Sequence, residues 1–163
     1  MDTVVLSLGS NKGDREDNIK RAVELLGEKF SKKFKTSPVY ETPPLYYEGG
    51  GKFYNCCITF ETGLSPRKIL NRTRAVENEM GRRRNEPNAP RIIDVDIVFI
   101  DDKVIADEDL IIPHQDMHNR LFVLQPLADI MPDLEHPVMN LTVSVLLEDC
   151  EDSSIIKKIK KFW

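Results

Sequence analysis

Ala89-Pro90-Arg91-Ile92-Ile93-Asp94-Val95-Asp96-Ile97-Val98-Phe99-Ile100 is the stretch from which the rest of the chain can be read. From Ile92 to Ile100 the residues around the two acids are aliphatic or aromatic and mostly β-branched, the composition of a strand buried on both faces. Asp is depleted in such strands and costly to bury unpaired. Side chains alternate with period two, so Asp94 and Asp96 leave the strand on the same face with their bases about 6–7 Å apart. Two readings follow. The carboxylates can converge on divalent cations, a pair of which roughly 4 Å apart serves phosphoryl and nucleotidyl transfer. Alternatively, they pair with nearby arginines and only hold the sheet edge.

The whole chain bounds the choice. Its 163 residues suit one domain, spanning 1–163, with a real hydrophobic core. There is no apolar run of membrane-spanning length and no signal-peptide pattern, so a cytoplasmic protein without membrane association is expected. Cys56, Cys57 and Cys150 are odd in number and lack metal-ligand spacing, and read as reduced packing residues. A net charge of −4 argues against a general nucleic-acid coat. The charge is uneven, however. Arg67, Lys68, Arg72, Arg74, Arg82, Arg83, Arg84 and Arg91 face only Glu77, Glu79 and Glu86 in the same span, a cationic zone that suits a polyphosphate. Arg67, Lys68 and Arg72 read as a solvated helix face.

Thr3 to Leu8 predicts a first strand, and Gly9-Ser10-Asn11-Lys12-Gly13-Asp14 the structural turn that ends it, with Asp14 as helix N-cap. Its glycines match neither common phosphate-loop spacing. Ile19, Ala22, Val23, Leu26 and Phe30 recur at helical spacing and predict an amphipathic helix over Arg15–Lys29. Phe34 to Tyr40 predicts a second strand, and Phe53 to Thr62 a third with Phe53, Asn55, Cys57 and Thr59 on one face. Asn55 either reads the edge of a heterocycle or bonds backbone. Between these strands, Glu41–Lys52 has loop composition with a mobile Gly49-Gly50-Gly51 section. Ser65-Pro66 starts a second helix, and Gly81 sits where a helix ends.

The order β-α-β-β-α-β fits a ferredoxin-like α+β sandwich, two helices on one face of an antiparallel sheet. Asp101-Asp102-Lys103 should then turn the chain into a small hairpin at Val104-Ile105, and Val123 to Leu127 forms a short helix or strand. His114 and His118 imitate a ligand spacing but lack a third ligand. Ile155, Ile156, Ile159 and Phe162, interleaved with lysines, predict a C-terminal amphipathic helix docked on its own domain.

Leu8-Gly9-Ser10-Asn11, Tyr40-Glu41-Thr42-Pro43-Pro44, Asn55, Glu77 with Gly81-Arg82, Pro90-Arg91-x-x-Asp94-Val95-Asp96 and Pro113-His114 with Asn119-Arg120-x-Phe122 occur in this order. Together they resemble the 6-hydroxymethyl-7,8-dihydropterin pyrophosphokinase family of folate biosynthesis. The resemblance implies pyrophosphoryl transfer from MgATP to the pterin hydroxymethyl group, releasing AMP, in a protein expected to be a monomer. It implies two Mg²⁺ ions on Asp94 and Asp96. Phe53 and Phe122 would sandwich the pterin, and Thr42, Pro43, Leu45 and Asn55 would border it. Arg74, Glu77, Arg82, Arg84, Arg91, Ile97, His114 and Arg120 would lie around ATP, with Arg82 and Arg91 also catalytic.

The chain departs from the family pattern at Pro87, Asn88 and Gln115, at Arg74 where Gln is frequent, and at Asp109 where some members carry Arg. Glu41–Lys52 and Arg83–Pro90 flank the inferred site and are expected to close over ATP. Two other functions share the strand order: a palm-type nucleotidyl transferase, which releases pyrophosphate, and a non-catalytic ferredoxin-like binding domain.

Overall fold

The computed structural model describes residues 1–44, 51–82 and 90–160. Its elements are β1 (Asp2–Ser10), α1 (Arg15–Lys29), β2 (Phe34–Thr36), β3 (Val39–Thr42), β4 (Phe53–Thr62), α2 (Pro66–Glu79) and β5 (Asp94–Ile100). After these come β6 (Ile105–Ala106), β7 (Ile111–Ile112), a 3₁₀ turn at Met117–Asn119, α3 (Leu121–Ile130), α4 (Val143–Asp149) and β8 (Lys157–Lys160).

Two long apolar strands make the spine. β1 pairs antiparallel with β4 along its whole length, from Asp2 opposite Thr62 to Ser10 opposite Tyr54. On its other edge β1 pairs antiparallel with β5, and the sheet runs β5-β1-β4-β3-β8 with β2 also on β4. Helices cover both faces. Leu6, Leu8, Cys56, Ile58, Val95 and Ile97 pack in one core with Ile19, Val23 and Leu26 of α1 and Ile69 and Val76 of α2. Val5, Cys57, Val98 and Phe99 pack in a second core with Leu124 and Leu127 of α3 and Val143 and Leu146 of α4. The sequence pattern foresaw only the first helical layer. The second arises because α3 extends across ten residues, with Pro126 inside it, rather than the short segment read at Val123–Leu127.

Local chemistry sets the helix ends. The Asp14 carboxylate accepts from the Asp17 amide at 3.0 Å, and Ser65 caps α2 with Pro66 in its first turn. Gly81, at φ +81°, follows α2 in the left-handed region that glycine adopts without penalty. Among the described residues no helix is long and apolar enough to cross a membrane.

Four expectations are corrected. The strand over Phe34–Tyr40 is two strands, because Pro38 has no N–H to give a ladder. Thr36 lies opposite Ile58 but Tyr40 opposite Asn55, so the outer chain carries one extra residue across the break. Ser37 closes the gap. Its amide donates to the Cys57 carbonyl at 2.9 Å and its hydroxyl oxygen accepts from the Cys57 amide at 2.9 Å.

The turn assigned to Gly9 starts later, since β1 continues through Ser10. At Gly9 a Cβ would stand 2.7 Å from the Asn55 Oδ1, so glycine is required there by close approach rather than by a turn. The chain after Asp101 turns but forms no hairpin ladder with β5. Instead β6 and β7 pair in a separate two-stranded sheet, while the Asp101 amide stays tied to the Thr3 carbonyl at 2.7 Å.

The C-terminal helix is a strand. β8 pairs with β3, Lys158 opposite Tyr40, and Lys160 reaches Glu16 at 2.6 Å. An open backbone edge on β3 is a stronger partner for this segment than a helix dipole, because the pairing satisfies both chains. Phe162 lies outside the described residues.

Replacing Ser37 by Ala should leave the buried Cys57 amide without its side-chain acceptor and cost about 1–3 kcal/mol. Urea unfolding followed by far-UV circular dichroism measures it, with an unchanged m-value showing that the fold persists.

Candidate functional site

Side chains directly opposite in a sheet point to the same face. Asn55 of β4, Gly9 of β1 and Asp94 of β5 are opposite one another in one row, and Cys57, Ser7 and Asp96 form the next. Cys57 packs against α3, so Asp94, Asp96 and Asn55 all face the α3 layer, as does Phe53 two residues before Asn55. Adjacent strands are about 4.8 Å apart, so Asn55 and Asp94 are separated by roughly 10 Å across a floor whose central residue is a glycine. This row is the candidate slot, and over Gly9 the Asn55 Oδ1 and the Phe53 ring stand within contact distance of where a Cβ would be.

At one side of the slot Asn55, 4% exposed, donates from Nδ2 to the Thr42 Oγ1 at 2.6 Å. Thr42 also pairs in register with Phe53, and Pro43 follows directly. Phe53 and Phe122, the latter in the first turn of α3, are both half-buried. Leu45 lies outside the described residues.

At the other side stand the acids. Asp94 meets Arg82 Nη1 with Oδ1 at 3.1 Å and Arg91 Nη1 with Oδ2 at 3.1 Å. The arginine-pairing reading of the strand therefore holds for Asp94. Asp96 is different: burial, reinforced by the negative charges of Asp94 and Glu77, pushes its carboxyl up to about 7, with Arg120 and Arg82 partly offsetting them. Negative charge is in excess at this point. Two hard carboxylate oxygen donors on one face fit Mg²⁺, which is usually held by one or two carboxylates with ligand phosphates and water completing its shell. Among the described residues no group of three His, Cys, Asp or Glu side chains could hold a metal unaided.

Glu77, 1% exposed at the end of α2, accepts from the Val95 amide at 3.1 Å and from the Arg82 guanidinium. It ties α2 to the start of β5 and holds Arg82 toward Asp94. The buried Nε of Arg82 has no acceptor among the described residues. Beside these groups opens a cavity of about 320 Å³, lined by Arg74, Glu77, Asp96, Ile97, His114 and Gln115 among others. His114 accepts at Nδ1 from the Asp116 amide at 3.3 Å, and burial together with the Arg120 charge lowers its pKa. Its neutral ring thus carries the proton on Nε2. Arg120 is not in the cavity wall, but pairs with Asp116 at 3.5 Å and lies 5.7 Å from the Phe122 ring.

Of the sites expected from sequence, the two carboxylates, Arg82, Arg91, Glu77, Arg74, Ile97 and His114 gather on or beside β5, and Thr42, Phe53 and Asn55 across the slot. The family model for 7,8-dihydro-6-hydroxymethylpterin-pyrophosphokinase (HPPK) matches residues 5–132. The chain belongs to the HPPK family.

It is 42% identical over 131 residues to the 2-amino-4-hydroxy-6-hydroxymethyldihydropteridine pyrophosphokinase of Bacillus subtilis, covering 80% of this chain and 78% of that one. The enzyme of the same name from Haemophilus influenzae is 34% identical, with 96% and 98% covered. The folic acid synthesis protein fol1 of Pneumocystis carinii is 42% identical over 94% of this chain, which spans only 21% of that protein's length. The structure of Plasmodium falciparum HPPK-DHPS with pteroate superposes with a TM-score of 0.72 at 21% identity, covering 91% of this chain and 42% of that one, a likeness of fold.

Within this HPPK chain two contacts escaped sequence reading. Arg15 donates from Nη1 to the Lys52 carbonyl at 2.8 Å, meets Glu41 at 3.0 Å and covers the Tyr54 ring at 4.0 Å. It read only as the first residue of the predicted helix, and nothing in its spacing singled it out. Arg67, read as solvated, grips Asp109 with Nη1 at 2.7 and 2.8 Å. Arg84, Pro87 and Asn88 lie outside the described residues, as do parts of the two segments expected to close over ATP.

The pKa of Asp96 has a stability consequence. Folded Asp96 keeps its proton to about pH 7, whereas an ordinary Asp loses it near 3.8, so the folded state binds the extra proton between these values. Its contribution is full below pH 3.8 and is lost as pH rises to about 7. Without divalent cations, wild-type stability should fall relative to Asp96→Asn across that window, as urea unfolding at several pH values would show. Carboxyl ¹³C NMR of Asp94→Asn should find Asp96 titrating lower than in wild type.

Proposed function

We propose that the chain transfers the pyrophosphoryl group of ATP to the hydroxymethyl oxygen of 6-hydroxymethyl-7,8-dihydropterin, forming the pterin diphosphate and AMP. The observation that carries this reading is the shared sheet face. The buried Asn55 amide lies across Gly9 from Asp94, on one face with two carboxylates, one of which sits in an excess of negative charge that a cation would offset. The names of the relatives from Bacillus subtilis and Haemophilus influenzae support the reaction, and the match to the latter over 96% of this chain and 98% of that one supports one catalytic unit over 1–163. The strand order β5-β1-β4-β3 with α1 and α2 as crossovers is read as ferredoxin-like, with β8 and the α3–α4 layer added to it. The working protein is taken as a cytoplasmic monomer that uses no nucleic acid and no membrane.

The new bond joins the pterin hydroxymethyl oxygen to the β-phosphorus, and the bond from that phosphorus to the oxygen bridging the α-phosphate breaks, leaving AMP with the electron pair. The hydroxyl proton passes to solvent. Phosphoryl transfer of this kind is governed by positioning and charge neutralisation rather than strong acid-base chemistry. Asn55 and Thr42 read the pterin edge while Phe53 and Phe122 cover the ring faces, with Pro43 and Leu45 bordering the pocket. Asp94 and Asp96 hold two Mg²⁺, which when bound neutralise triphosphate charge and acidify the attacking hydroxyl. Arg82 and Arg91, released in part from Asp94, turn their guanidinium forks to phosphate oxygens, a geometry for which arginine is suited. Arg74, Glu77, Arg84, Ile97, His114 and Arg120 surround the nucleotide.

Incubation with ATP, Mg²⁺ and the hydroxymethyl dihydropterin should yield AMP. ADP would mark an ordinary kinase, and pyrophosphate release would mark a nucleotidyl transferase. Asp94→Ala and Asp96→Ala should each cost several kcal/mol of transition-state stabilisation while the fold is kept. Steady-state kinetics with circular dichroism of the variants checks this.

A further inference from the structure

Asn11 is the last residue of the Leu8-Gly9-Ser10-Asn11 run and one that no part of the proposed reaction uses. It stands just past β1, 9% exposed, and makes three hydrogen bonds that do not belong to any strand ladder. Its amide donates to the Arg91 carbonyl at 3.1 Å, and its Oδ1 accepts from the Arg91 amide at 2.7 Å. The two bonds are reciprocal, so they fix both position and orientation of the Arg91 peptide. Its Nδ2 reaches the Gly51 carbonyl at 3.4 Å, a longer and weaker contact. Three residues beyond Arg91 the chain enters β5 at Asp94, and the Arg91 guanidinium meets that carboxylate at 3.1 Å.

We infer that Asn11 is a positioning residue for the phosphoryl-transfer site: it sets where Arg91 stands, and through Arg91 it orients Asp94. The inference rests on the pyrophosphokinase reading and deepens it. Only a side chain with an acceptor and a donor on one short planar group serves both Arg91 and Gly51. β1 is the fixed member of this arrangement, paired on both edges, so Asn11 transmits the rigidity of the central strand to a residue that would otherwise be set by its own loop. Arg91 needs this support because its contact is directional, and small displacements of a charged group from a reacting centre are costly.

The test compares wild type, Asn11→Ala and Asn11→Asp by amide hydrogen exchange without nucleotide or metal, and by steady-state kinetics. In N11A the Arg91 amide should exchange roughly tenfold faster or more, and kcat should fall about tenfold or more while KM for the pterin stays within about threefold, the pattern of a misplaced reacting group. N11D retains an oxygen acceptor for Arg91, so protection of that amide should return and kcat should recover at least in part relative to N11A. If N11A does not fold, Asn11→Ser, whose shorter hydroxyl does not reach the Arg91 amide, replaces it with the same two expectations. Wild-type kcat in N11A, or a fall in kcat with Arg91 protection unchanged, overturns the inference. A wild type that makes no AMP defeats the pyrophosphokinase reading instead, while the Arg91 exchange still reports whether Asn11 holds that residue.

Discussion

Three carboxyl groups, two on β5 and one on α2, crowd the start of one apolar strand, and the disposition of their charge governs the architecture around it. Glu77 is buried but fully engaged, by the Val95 amide and the Arg82 guanidinium. Asp94 is engaged by Arg82 and Arg91. Buried charge is tolerated only when paired and hydrogen-bonded, and these two meet that condition. Asp96 lies on the same face as Asp94 and is left to resolve the surplus by holding a proton to about pH 7. Stability alone would not select such a residue. The site proposed for cations and a triphosphate would need such a vacancy in its charge balance, and functional sites are where such local cost is kept.

Register converts that charge into a site. A one-residue slip of β5 on β1 would send both acids to the α1–α2 face, away from Asn55 and Phe53. The pairing shifts between Val5 and Leu6, so Val5 faces Phe99 while Leu6 faces Ile97, and Val98 is the extra residue. Because of this bulge Val98 and Phe99 both join the α3 core, whereas Val95 and Ile97 join the α1–α2 core. The even-numbered acids keep their common face although the end of the strand reverses its parity. Gly9 completes the arrangement by leaving the row between Asn55 and Asp94 without a side chain.

This explains what could be read in advance and what could not. Capping residues, helical periodicity and the run from Phe53 to Thr62 are local signals, and Asp14, Ser65 and the β4 bounds appear as expected. The Asp94–Asp96 pair stood out because it violates the composition of a buried strand. The features that escaped depend on distant partners. The mixed run of isoleucines and lysines at 155–160 is compatible with a helix or a strand until β3 offers an open edge. Ser37 looks like any polar residue before a proline until the Cys57 amide is placed against it. The phosphate-side arginines were legible as a cationic zone, but that Arg82 and Arg91 rest on Asp94 was visible only after β5 and the end of α2 came together.

Arg74 and Asp109, two positions that the sequence reading set apart from the expected family pattern, are neighbours in space. The Asp109 carboxylate lies 3.6 Å from Arg74 and is gripped more closely, at 2.7 Å, by Arg67. All three side chains are more than two-fifths exposed, so the pairs contribute little to stability against solvent screening. Their effect lies in geometry and charge at the cavity, where both Arg74 and Asp109 are lining residues. An acid standing alone at the rim of the proposed triphosphate site would repel that ligand. Here it faces two cations on α2, Arg67 and Arg74, while Asp107 lies 3.8 Å from Arg67 and Glu108 also lines the cavity, so the cationic charge at this rim sits on the helix and is matched by acids of the segment before β7. A change at either position is therefore legible only together with the other, and with Arg67 as the third member.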